Sequence, residues 1–398
     1  MTHLRVRGRD CRTGQTIEIV AEGGRIVAVG EPTPGPAVGG PDVLLAPGLI
    51  DVQVNGFAGH DLNSDDVTPA AVAGVVRSLW RAGVTLCCPT ITTGSADRMR
   101  RSLAAIAQAV EEDPVVRHAV AAIHVEGPYI SPEDGPRGAH PREHVRPPNW
   151  DEFQSFQEAA GGRIGIVTLA PETPGAVPFV ERAVRAGLVV ALGHHGASAA
   201  QIEAAVAAGA RFCTHLGNGS HAMLPRHPNY VWEQLANDAL WAGIIVDGHH
   251  LPPSVVKCFV RAKGVGRLVL VSDAVHVAGL PPGRYDFLDH AVEVSPSGRV
   301  SLAGTPYLAG SSLSLCQALA NVIAFAGISL GEAVSMATAN PARLLGLEGK
   351  RGGLAVGQAA DLLLFRLDDG KVEVLATIAG GSVVYGGLRV AEQDEHAG

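Results

Sequence analysis

Four side chains suited to metal-assisted acid–base chemistry each follow an apolar run. Glu126 closes the run 119–125, and Gly127 and Pro128 then break it. A carboxylate ending a buried strand needs a partner, because an unpaired buried charge is costly. His194 and His195 follow the run 189–192, His215 ends the run that reaches Thr214, and Asp273 follows the run 268–271. One Glu and two His suit Zn²⁺ or Fe²⁺, with three protein ligands and a position open for water. The set read here is Glu126, His194 and His215. His194 lies nearer its strand end than His195, which stays the alternative ligand. Such an ion lowers the pKa of the water it holds, and Asp273 is the natural carboxylate to take the proton.

Taken singly, each residue has a plain structural reading: a salt-bridged strand end for Glu126, an N-cap for Asp273, a core or surface histidine elsewhere. Their clustering argues otherwise. Gln53, Asn55, Thr90, Glu172, Asp247, His249 and His250 also fall at or after the ends of predicted strands, so the polar groups gather at one end of the elements.

Those elements alternate strand and helix between about 49 and 346. Strands are expected at 49–54, 84–89, 119–125, 164–169, 189–192, 212–214, 241–246 and 268–271. Thr68 before Pro69 and Thr173 before Pro174 read as N-caps with a first-turn proline. Ser198 with Gln201, and Ser329 with Glu332, read as capping boxes. Gly83, Gly187 and Gly209 stand where helices end. Eight parallel strands with intervening helices predict a TIM barrel, whose catalytic groups come from the C-terminal strand ends; a doubly wound sheet is the alternative. A long link between the sixth and seventh strands, and a hairpin-like insertion at 274–310, predict a distorted barrel. Short strands at 4–6, 16–20 and 25–29, then a Pro/Gly-rich linker at 31–41, are too little chain for a core of their own. Matching strands within 353–365, 372–378 and 382–385 predict a small β-sandwich built from both ends. The expected organisation is thus 1–48 and 347–398 in the sandwich and 49–346 in the barrel.

The composition, 46% hydrophobic and 18% charged with 49 Gly in 398 residues, fits a globular protein with a large core. The net charge of −8, without a Lys/Arg cluster, gives no footprint for nucleic acid. Six Cys without CxxC spacing suit a reducing cytoplasm. No apolar run approaches membrane-spanning length, and the N-terminus shows no signal-peptide pattern.

Several stretches together resemble the N-acetylglucosamine-6-phosphate deacetylase family of the amidohydrolase superfamily. They include Ala46 to Gly56, His124 to Pro128, Gly138 to His140, Leu169 to Glu172, Leu192 to His194, Thr214 to Leu216, Asp247 to His250, Ser272 to Ala274 and Leu308 to Ser312. The order spans nearly the whole chain. The resemblance implies metal ligands Glu126, His194 and His215, with Asp273 as catalytic acid/base and His140 polarising the acyl carbonyl. It implies hydrolysis of the acetamide of an N-acetylated amino sugar, N-acetylglucosamine 6-phosphate above all, and a homodimer. Where most amidohydrolases carry His-x-His, this chain reads Gln53, Val54, Asn55. One ion is therefore expected, Zn²⁺ first and Fe²⁺ second, with Gln53 near it or its water.

The match departs after His215. Family members place a short Asn-Ala-Met segment there whose backbone helps hold the phosphate; this chain has a longer stretch through Asn218, Gly219 and His221 to Met223. Arg226 and His250 still match phosphate-gripping positions, Arg226 across the dimer, and a guanidinium and an imidazole suit that task. Tyr230 and Trp232 are placed either to stack on a sugar face or to pack. The rebuilt segment leaves another N-acyl amino sugar or amide as the alternative substrate. Cyclic-amide or amidine hydrolysis is disfavoured by Gln53 and Asn55, and an inactive scaffold by the intact Glu126, His194, His215 and Asp273.

Overall fold

A computed structural model describes residues 3–287, 290–305 and 307–387. Eight strands lie side by side in chain order: Leu49–Val54, Val84–Thr92, Ile123–Glu126, Ile164–Leu169, Val189–Leu192, Phe212–Cys213, Trp241–Ile244 and Leu268–Leu270. Every neighbouring pair is parallel. The first strand is buried along its whole length, as a strand covered on both faces must be. A parallel bridge from Val54 to Ala274 closes the ring at the C-terminal end, supported by Asp273 N–H donating to the Gln53 carbonyl at 3.0 Å. Further down, residues 337–344 plug the seam between the first and eighth strands. Ile50 N–H donates to the Ala337 carbonyl (2.8 Å), and the Asn340 amide donates to the Leu268 carbonyl (2.7 Å). The architecture is a distorted (β/α)₈ barrel.

Several local expectations shift. Residues 119–122 are not strand: a helix, Pro114–Ala119, reaches that point, started by Pro114 in its first turn and by Asp113 accepting from Val115 N–H. The strand proper is Ile123–Glu126, so Glu126 is its last residue rather than the next one out. Thr68 caps its helix as expected, accepting from Ala71 N–H. Thr173 does not: its hydroxyl donates to the Ala170 carbonyl (2.7 Å), and the helix starts at Ala176, after Gly175 at φ +83°. Both capping boxes form. The insertion after the eighth strand is a three-stranded antiparallel meander, Gly283–Phe287, His290–Val294 and Val300–Leu302. Its small core includes Val275, Val292 and Val300. Among the described residues no helix is long and apolar enough to cross a membrane.

The two ends of the chain build one sheet-rich unit. Pairing is continuous through Ser382–Gly386, Lys371–Ala379, Leu362–Asp368, Val38–Pro47, His3–Asp10, Thr16–Glu22 and Arg25–Gly30. The linker expected at 31–41 is therefore shorter, because its last four residues belong to a strand. Gly39 makes that passage possible: at φ +93° it lies so close to the Arg7 carbonyl that a Cβ would sit 2.2 Å from the oxygen. Strand Leu362–Asp368 shows how the unit is attached. Leu362 and Leu364 pack with Val6, Ile19 and Leu45 in the sheet's own core, while Leu363 and Phe365 belong to the barrel core. Alternation with period two thus turns one strand into a shared wall.

Candidate active site at the barrel mouth

Three ring and carboxylate atoms converge at the C-terminal end of the barrel. Glu126 Oε1 lies 3.0 Å from His215 Nε2 and 3.2 Å from His194 Nε2, and the two imidazole nitrogens are 2.9 Å apart. All three residues are buried. Each side chain gets there from a strand end: Glu126 is the last residue of its strand, and His194 and His215 each stand two residues beyond one. Both histidines take left-handed backbone, at φ +54° and +28°, and Asp273 joins them at +48°. That conformation costs an L-residue about 1–2 kcal/mol, and such strain gathers at functional sites. Hydrogen bonds from neighbouring strands and loops hold it. Thr214 N–H bonds to Leu192 O, Leu216 N–H to Gly243 O, Ser131 N–H to His194 O and Ser311 N–H to Asp273 O.

The donor set fits a divalent cation. Three atoms about 2.05 Å from one tetrahedral ion would be separated by about 3.3 Å, close to the triangle found. His194 Nδ1 lies 2.8 Å from the Pro136 carbonyl, which fixes its proton there and leaves the Nε2 lone pair facing inward. Burial alone would raise the Glu126 carboxyl, but the bonds to His194 and His215 hold it well below the usual range. That favours the anionic form, the one that could hold a cation. His140 also offers a ring nitrogen within 4.8 Å of ligand atoms of Glu126 and His194.

Asp273 sits across from this cluster. Its Oδ1 accepts from Asn55 Nδ2 (2.8 Å) and Gln53 Nε2 (3.1 Å), and the same Gln53 nitrogen lies 3.0 Å from Glu126 Oε1. Gln53 thus ties the acid to the carboxylate of the cluster. Burial, and then the Glu126 charge, push Asp273 up to about 6. His140 Nδ1 is 2.8 Å from Thr93 Oγ1, and burial followed by the neighbouring His194 keeps its ring well below the usual histidine range. It is neutral.

One pocket gathers Glu126, His140, His194, His215, Asp273, Asn218, Gly219 and His250. Gly219 is required by contact: at φ +55° an added Cβ would meet His194 Nδ1 at 2.7 Å. His250 turns its Nδ1 to Asp247 Oδ2 at 2.7 Å, so the pair acts as one oriented imidazole. His195 points elsewhere. Its ring packs edge-on to Tyr230 with centroids 5.3 Å apart, and burial lowers it to about 4. Glu172 accepts from Gly196 N–H (2.7 Å), His249 contacts the Ser297 carbonyl and Thr90 bonds the first strand through Val54 N–H. Tyr230 is buried with its hydroxyl on His221, while Trp232 is about half exposed. Arg226 lies exposed and does not line this pocket; among the described lining residues there is neither Lys nor Arg. Sequence reading missed Asp61, Asn63 and Thr92, which also line it. Asp61 stands on a ribbon of two two-residue strands, too short to leave a periodic signal.

A barrel with strained strand ends around a Glu/His group that could hold a metal ion is the architecture of a hydrolase class, and the amidohydrolase family model matches residues 44–384. The chain is 38% identical over 355 residues to N-acetylglucosamine-6-phosphate deacetylase from Bos taurus, covering 86% of this chain and 83% of the relative. It is 33% identical to N-acetylgalactosamine-6-phosphate deacetylase from Escherichia coli O157:H7, covering 88% and 90%. The crystal structure of N-acetyl-D-glucosamine-6-phosphate deacetylase from Mycobacterium smegmatis superposes with a TM-score of 0.85 at 28% identity, covering 96% of this chain and 100% of that one. The chain belongs to the N-acetylglucosamine-6-phosphate deacetylase group of the amidohydrolase family.

Proposed function

We propose that the protein hydrolyses the acetamide of an N-acetylated amino sugar 6-phosphate, N-acetylglucosamine 6-phosphate first, to the free amine and acetate. The observation that carries this is the Glu126–His194–His215 triangle with Asp273 held opposite it by Gln53 and Asn55. Glu126, His194 and His215 would hold one divalent ion, Zn²⁺ by preference with Fe²⁺ suiting the same donors, and Gln53 would bond its water. When bound, the ion supplies a Lewis acid for the carbonyl and lowers the pKa of water.

The chain's own residues do the rest. Asp273, with Oδ1 fixed by two amides, takes a proton from the attacking water through Oδ2 and passes it to the departing amine nitrogen. In this reading His140 takes the tautomer that accepts from Thr93 at Nδ1 and carries its proton on Nε2, where it is offered to the carbonyl oxygen as charge builds there. The Asn218–Gly219 backbone and His250 face the phosphate. With no Lys or Arg among the described lining residues, a guanidinium for the phosphate would come from outside the pocket. Arg226 of a second copy in a homodimer is the source proposed. Six free cysteines suit a reducing, cytoplasmic setting.

The test is acetate release by the Zn²⁺-loaded protein from N-acetylglucosamine 6-phosphate, its galacto epimer and unphosphorylated N-acetylglucosamine, side by side. Turnover confined to phosphorylated sugars supports the reading and ranks the epimers. Turnover of none would overturn it.

A further inference from the structure

The barrel interior beneath the ligand triangle is not wholly apolar. His124, Thr168 and Thr214 are buried there and form one line. His124 Nδ1 is 3.1 Å from the Val52 carbonyl, His124 Nε2 is 2.7 Å from Thr168 Oγ1, and Thr168 Oγ1 is 2.7 Å from Thr214 Oγ1. The polarity of this line is forced. A carbonyl can only accept, so His124 Nδ1 carries the proton. Burial keeps the ring neutral, which leaves Nε2 bare to accept from Thr168. That uses the one Thr168 hydroxyl proton, so Thr214 donates to Thr168. Every bond runs the same way, from the end of the sixth strand to the first.

The line passes beside each group of the metal site. Val52 precedes Gln53, His124 stands two residues before Glu126, and Thr214 precedes His215. Gly193, just before His194, lies against both threonines: an added Cβ would meet Thr214 Cβ at 2.7 Å and Thr168 Cγ2 at 2.9 Å. Thr168 is the exception, because its own strand, Ile164–Leu169, supplies no ligand. A parallel strand buried on both faces ordinarily takes Val in such a place. Val has nearly the shape of Thr, and a buried hydroxyl costs free energy unless it is bonded. The bonds it makes here join the strands that carry Glu126 and His215. They also hold the floor on which His194 and His215 keep their left-handed turns.

We propose that Thr168 is a positioning residue for the metal site: its hydroxyl, locked between His124 and Thr214, fixes the spacing of Glu126, His194 and His215. This rests on the metal-site reading above.

The test uses the full chain and two readouts other than turnover: Zn²⁺ affinity by competition with a chelator, and the absorption spectrum of the Co²⁺-loaded protein. Thr168→Val keeps the shape and removes the hydroxyl. It should weaken Zn²⁺ binding by about 10–100-fold, the usual result of losing a ligand's support, and shift the Co²⁺ bands. Thr168→Ser should return both readouts close to the wild type. Thr214→Val leaves the Thr168–His124 bond in place and should cost less, about two- to tenfold, as one hydrogen bond does. It guards against a Thr168→Val protein that does not fold. Thr377→Val is the control. It removes a buried hydroxyl of the same kind, bonded to the Trp80 carbonyl at 2.7 Å in the two-ended sheet, and should leave Zn²⁺ affinity and the Co²⁺ bands unchanged. Wild-type Zn²⁺ affinity in Thr168→Val overturns the proposal. So does an equal loss in Thr168→Val and Thr377→Val, which would mark a general loosening of the fold. A wild type that holds no divalent ion would instead overturn the ligand set itself.

Discussion

On one side of the barrel mouth, Glu126, His194 and His215 are buried, point at one another within 3.2 Å, and are pinned by bonds from neighbouring strands and loops. On the other, the segment from 220 to 229 has no regular structure. Met223 is 88% exposed, Arg226 faces outward, and His221 bonds Tyr230 and Glu133. The first region is completed within one chain. The second leaves groups free for something outside the chain. Chemistry and substrate choice are thus built on different supports, and mutations should separate them.

The largest effect should come from Glu126→Gln. It removes the anionic corner of the triangle, so metal content after dialysis should drop and turnover fall by about a thousandfold or more, a loss of transition-state stabilisation typical of an electrostatic centre. Chelation should do the same, with Zn²⁺ restoring activity. Asp273→Asn should keep its metal and lose about 10²–10⁴ in kcat, the range for a general acid/base. Its pH profile supplies the companion test. A carboxyl raised by burial and by Glu126 to about 6 is ionised above that value. Activity should therefore be present at neutral pH and fall as pH drops through about 6, with a bound cation moving the limb lower. An acid limb above 7 would contradict Asp273 as the base.

Gly219→Ala probes the contact between the two regions. The new methyl would meet the His194 ring and force a left-handed alanine, so metal affinity should weaken by about 10–100-fold, the usual result of disturbing a ligand's support. The smallest effect should be Arg226→Ala. It should raise KM for phosphorylated substrate by about tenfold at unchanged metal content, and leave unphosphorylated sugar alone. If it alters metal content, the separation drawn above fails.

The sequence showed these regions unequally, for physical reasons. Strand ends after apolar runs are loud: Glu126, His215 and Asp273 stand out because ionisable groups are rare next to a parallel strand buried on both faces. Between His194 and His195, spacing favoured His194 by a single residue only. The choice depends on the left-handed turn at His194 and on Tyr230, which is distant in sequence and takes the His195 ring. Thr173 and Pro174 imitate a helix start so well that only the bond to Ala170 and the turn at Gly175 show otherwise. Gly39 inside a Pro/Gly-rich stretch looked like linker, though its freedom lets a strand pass close to Arg7. Asp61 was silent because a two-residue strand has no period.

The shared wall formed by Leu362–Asp368 has a consequence for synthesis. His3–Asp10 and Val38–Pro47 emerge first, yet the strand that pairs with Val38–Pro47 and fills both cores arrives more than three hundred residues later. Until then the nascent chain carries an open sheet edge and an unsealed apolar face, the surfaces through which chains aggregate. The sheet and the wall it shares with the barrel therefore cannot close until synthesis is nearly over.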